Sequence, residues 1–227
     1  MVLAFFKGSS GESGLDHVVS KSVGMLGDAR HSFDLATTAL LTNAGHESVA
    51  QDIRDTDERI NLAEQELRSE LIVHVSVQGS ADIGTVLGFT LLLKKIERIG
   101  DQAKNILDLA EHGVSLADNA EIDVLLAERQ EVSSLFGQAA ELLAEAAGQG
   151  DAIQAFSERT LDLVTNYQQK IDGFMTSDRP GREVVPLAIY YRYLRRIVAN
   201  LVGVVRTSSE PLQYVDYLED GTVDTDD

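Results

Sequence analysis

Two groups of oxygen-bearing side chains fall at helical spacing in the first half of the chain. Asp57, Asn61 and Glu64 are four and three residues apart, and Glu97, Asp101 and Asn105 repeat every four. Residues three or four apart share one helix face, with Cβ atoms about 6 Å apart. Each group therefore forms a ladder of carboxylate and amide oxygens. Carboxylates that converge repel one another unless a cation neutralises them. An all-oxygen site suits hard or borderline ions such as Mg, Ca, Mn or Fe. Acids beside a bundle seam also serve as solvated surface or as ion-pair partners, and Arg59 and Arg98 lie nearby. Spacing alone leaves both readings open.

The ladders need helices that bring them together. Between His46 and Gln78, apolar or small residues fall at Val49, Ile53, Thr56, Ile60, Ala63 and Leu67. Between Asp82 and His112 they fall at Leu92, Ile96, Ile99, Ala103, Ile106 and Ala110. Steps of four and three mark the seam of a helix packed in a bundle. Gly79 reads as a helix stop and Ser80 as the next N-cap. In an antiparallel hairpin centred near Gly79, Asp57 is level with Asp101 and Asn61 with Glu97, so the two ladders meet.

A helix over 15–43 precedes this pair, and three more are expected at 121–147, 151–176 and 183–208. The breaks between them are Gly148–Gly150 and the turn-forming Ser177–Gly181. The fold class is all-α: six helices as two tandem antiparallel three-helix bundles. The expected boundaries are a leader at 1–14, a first bundle at 15–113, a second at 119–208 and an acidic tail at 209–227.

Of 227 residues, 44% are hydrophobic and 25% charged, and the formal net charge is −18. Nucleic-acid binding requires a basic footprint that this chain lacks. Without Cys there are no thiolate metal sites, disulfides or cysteine nucleophiles. The most apolar stretch, Ile83 to Leu93, falls short of the roughly 18–20 residues that span a bilayer, and the N-terminus lacks the layout of a secretory signal. A cytoplasmic location is expected.

The segment KKIERIGDQAKNILDLAEHG (Lys94 to Gly113) resembles the signature of PhoU-type phosphate-uptake regulators, and Asp57, Ile60, Asn61 and Glu64 resemble the matching D-x-x-I-N-x-x-E segment. The resemblance implies two tandem three-helix bundles, with metal held by E/D-x-x-x-D motifs. It also implies a non-enzymatic role in phosphate uptake and phosphate-dependent signalling, through phosphate transporter components, a sensor kinase or both. Asp57, Asn61, Glu64, Glu97 and Asp101 are the expected ligands of a divalent or trivalent metal ion, with Fe the first candidate and Mn, Mg, Ca or Zn as alternatives. Homodimerisation is left open. The second half departs from the pattern. On its last helix Arg195, Val198 and Ala199 stand at the Glu, Gly and Asp positions, opposite Glu158 and Asp162. A second metal site is therefore not expected.

Two rival classes lack the residues they need. A di-metal oxidase needs Glu-x-x-His on two helices, and none of the five histidines has Glu three residues before it. A metal-dependent hydrolase lacks an evident nucleophile, and no phosphate-cradling or nucleophile-elbow motif is present. A metal-free helical interaction module remains the alternative to a metal-binding adaptor.

Overall fold

The computed structural model describes residues 12–79, 82–145 and 149–207, with side chains from Leu15 onward. Six long helices follow one another: α1 Glu12–Leu41, α2 Ala50–Gln78, α3 Ile83–Glu111, α4 Ile122–Ala144, α5 Gly150–Met175 and α6 Gly181–Thr207. No strand occurs among the described residues, and a 3-10 turn at His46–Ser48 leads into α2. The all-α class stands. α1 already begins at Glu12, inside the span expected as a leader. Residues 1–11, Ser80 and the acidic tail lie outside the described residues.

Spacing explains the packing. All six expected seam residues of α3 are buried, together with Phe89, Leu93, Gly100 and Leu107. The extra burial follows from its position, because α3 packs against α1, α2 and α6. On α2, Ile53, Thr56, Ile60 and Leu67 are buried as expected. The next inward position, however, is Glu64 rather than Ala63, which is only half-buried. Val49 lies ahead of the helix as its N-terminal flank.

Two glycines with positive φ close helices where a side chain would be strained: Gly79 (84°) after α2 and Gly113 (82°) after α3. That conformation suits glycine because it carries no Cβ. His74, 12% exposed at its side chain, donates from Nε2 to the Asp82 carboxylate at 3.0 Å and ties the end of α2 to the start of α3.

The two halves share one core. α1 packs on α2, α3 and α4, while α6 packs on α5, α3 and α4. Buried apolar side chains from both halves form one continuous cluster. Phe33 of α1 meets Phe136 of α4 with ring centroids 5.6 Å apart. Beside them Arg129 pairs with Asp34 at 3.0 Å, and the Ser133 hydroxyl donates to the same carboxylate at 3.2 Å. The link after α3 is held to α1 by Leu116 N–H donating to Leu40 C=O at 2.9 Å.

Candidate functional site

Helix geometry sets which residues of α2 and α3 face one another. α2 ends at Gln78 and α3 begins at Ile83, so the midpoint of the connection lies beyond Gly79. Opposing positions on α3 therefore shift by about three residues from the expected register. Asp57 is level with Lys104, and Glu64 is level with Glu97. Ile60 confirms the shift by packing on Gly100, whose missing Cβ would stand 3.1 Å from Ile60 Cδ1. The glycine of Glu-Arg-Ile-Gly-Asp is thus the place where α2 approaches α3 closely.

Asp57 and Asp101 do come together, through a third residue. The Lys104 ammonium donates to Asp57 Oδ2 at 2.8 Å and to Asp101 Oδ1 at 3.3 Å. Burial of Lys104 opposes its charge, but the hydrogen bond to Asp57 and the charges of both aspartates outweigh that cost. They raise its pKa above the ordinary lysine value of 10.5. The side chain is therefore an ammonium at neutral pH. Lys104 was not among the expected site residues, although its place one turn after Asp101 was a signal for it.

Glu64 and Glu97 occupy the next level. Glu64 is 6% exposed. Its Oε1 lies 2.9 Å from Arg68 on its own helix, in a geometry that makes no hydrogen bond. Glu97 Oε2 stands likewise 2.7 Å from Lys94. Each of these buried oxygens thus faces a cation one turn away on the same helix. Asn61 and Asn105 are half-buried beside them. Toward the open end of the pair, Arg54 of α2 grips both carboxylate oxygens of Glu111 at 2.9 and 2.7 Å.

The carboxylates along the α2–α3 seam are met by cations of the chain itself: Asp57 and Asp101 by Lys104, Glu64 by Arg68 and Glu97 by Lys94. Among the described residues, no three His, Asp or Glu side chains converge in the present arrangement.

In the second half, Glu158 and Asp162 are exposed on α5, and the Glu158 carboxylate accepts from Gln154 at 2.8 Å. The dense polar cluster of that half lies elsewhere. Glu128 of α4 accepts from Lys170 at 2.6 Å and from the Tyr191 hydroxyl at 2.7 Å. Lys170 also stands 4.7 Å from the centroid of the Tyr191 ring. Tyr167 and Tyr190 are fully buried beside it, and their hydroxyls make no hydrogen bond. Tyr190 and Tyr191 are both buried, at 0% and 1% exposure.

No helix of the described residues is long and apolar enough to cross a membrane. Residues 23–110, from within α1 to the last turn of α3, match the family model of the PhoU domain. The fold is similar to the crystal structure of PhoU from Pseudomonas aeruginosa. The TM-score is 0.71 and the identity 19%, over 89% of this chain and 97% of the other. Among curated proteins none matches the chain.

Proposed function

We propose that the chain, whose residues 23–110 match the PhoU domain model, regulates phosphate uptake and phosphate-dependent signalling in the cytoplasm, by protein contact and without catalysis. The observation that carries this reading is the α2–α3 pair. Its Glu-Arg-Ile-Gly-Asp segment lies within the matched domain, with Gly100 closing on Ile60 and the acids aligned along the seam.

A contact role is supported by the surface of the same helix pair. Ile72, Val73 and Val77 on α2, with Ile83, Leu87 and Leu91 on α3, are large apolar side chains exposed at the hairpin end. The stretch from Leu71 to Leu93 holds a single formal charge, Asp82, in a chain of net charge −18. Such an end favours an apolar partner surface, and the acidic remainder favours a basic rim around it. Components of a phosphate transporter or a sensor kinase are the partners this reading names.

Metal at Asp57, Asn61, Glu64, Glu97 and Asp101 is the finer form of the proposal, with Fe first and Mn, Mg, Ca or Zn as alternatives. The metal-free interaction module is favoured by one specific observation, the ammonium already standing between Asp57 and Asp101. Deleting the gene tests the regulatory role. Altered phosphate uptake and altered phosphate-responsive expression are expected, and a strain unchanged in both would overturn it.

A further inference from the structure

We propose that the acidic segment after α6, residues 210–220, docks back over the last two turns of α6 and is held there by Lys95 and Arg206. Docking of this kind needs neither a metal ion nor a phosphate-transport partner.

Burial at the end of α6 calls for a cover. Over most of its length the helix buries a stripe, as an amphipathic helix does: Val184, Leu187, Leu194 and Ile197 are buried while Arg192 is exposed. From Asn200 to Thr207 every residue is buried. α3 shows what its counterpart looks like. The alignment that sets Arg195 against Glu97 places Val202, Gly203 and Arg206 where α3 has Lys104, Asn105 and Asp108, all three half-buried. α3 packs on α1, α2 and α6, and α6 packs on α5, α3 and α4. Three helical neighbours leave that side of α3 open to water, yet the same side of α6 is closed. The residues agree, because Leu201 to Val205 read LVGVV, and a helix that is apolar all round is a buried one.

The cover must also carry negative charge. Lys95 of α3 lies across α6 at Gly203, where an added Cβ would stand 2.5 Å from its Cδ and 2.9 Å from its Nζ. Arg206, three residues further along α6, is 7% exposed. Cations are rarely buried this far without an opposite charge. The chain continues from Thr207 as SSEPLQYVDYLED. Pro211 does not extend a helix, so the chain leaves the axis there. Leu212, Val215 and Leu218 then recur every three residues, and Glu210, Asp216, Glu219 and Asp220 are accompanied by no base. The segment thus offers both things the site requires. Reach is no obstacle: Gly203 lies ~6 Å back along the helix, and an extended chain covers about 3.3 Å per residue. Tethering at Thr207 gives the segment an effective concentration on the order of millimolar. A second copy has no such advantage, and its net charge of −18 would repel the first.

The chain contains no Trp, so Tyr217→Trp places a single reporter in the segment of the full-length protein. Acrylamide should quench its fluorescence several-fold less than that of free tryptophan, at every protein concentration. Lys95→Glu in the reporter chain should raise quenching toward the free value with helical circular dichroism unchanged. The triple change Asp216→Asn, Glu219→Gln and Asp220→Asn should do the same from the side of the segment. It leaves the core untouched, and it decides the matter if Lys95→Glu does not fold. Quenching of the parent reporter equal to that of free tryptophan would overturn the proposal. Protection that either folded charge variant leaves unchanged would also overturn it, by placing the segment elsewhere. Protection lost on dilution would assign the face to a second copy instead.

Discussion

Of the six tyrosines in the chain, Tyr167, Tyr190 and Tyr191 are enclosed around Glu128. Burial, reinforced by the negative charge of Glu128, pushes all three hydroxyls well above the ordinary 10.0. Above about pH 10 the unfolded chain releases those protons and the folded chain keeps them, so unfolding is coupled to proton release. Their contribution to stability is fully present below pH 10 and is lost as pH rises toward the folded-state values. A titration followed by phenolate absorbance should therefore show these three ionising together with unfolding. Ionisation of all six while the helical signal persists would contradict this. At this scale the sequence revealed the acids and missed their partner. Asp57, Asp101, Glu97 and Glu64 were legible because identical chemistry at helical spacing stands out. Lys104 was overlooked because the expected register set Asp57 against Asp101 and left the lysine one turn away.

Between elements, the close approach of α2 to α3 depends on Gly100. A Cβ there would stand 3.1 Å from Ile60 Cδ1, a fit that a small shift relieves for Ala but not for a branched residue. Gly100→Val should destabilise the protein by about 1–3 kcal/mol through overpacking. Gly27 of α1 gives the contrast, since nothing lies within 4 Å of its added Cβ. Gly27→Ala should stabilise by roughly 0.5–1 kcal/mol through helix propensity. Urea midpoints for the two variants check both signs. The six seam positions read on α3 are all buried because each is apolar, whereas the buried Gln102 falls outside that apolar pattern. The seam of α2 was readable except at Glu64, where an inward carboxylate breaks the apolar pattern and Ala63 took its place in the reading. The turn was misplaced for a related reason: Gly79 marks where α2 stops, whereas the register depends on where α3 starts.

Across the whole molecule, two helices of the first half are committed to the second. α1 carries Phe33 against Phe136 and Asp34 against Arg129, and α3 packs along α6. One core of this kind should unfold in one cooperative step. Denaturant curves from helical circular dichroism and from tyrosine fluorescence should coincide, and two separated midpoints would refute a shared core. The six helices and their order were legible from periodicity and turn residues. The docking of the halves was not, because a face of α1 buried by α4 looks in sequence like one buried by α2.

That docking has a consequence for modularity. The chain reads as one unit written twice, which suggests a cassette that could be cut out, swapped or used alone. A cut in the link between Gly113 and Glu121 would leave Phe33 of α1 without Phe136 and facing water on one product. On the other it would bare Phe136 of α4 and the apolar side of α6. Neither product is a finished protein. What resembles a repeat in writing is, as an object, a single part with no seam along which it can be divided.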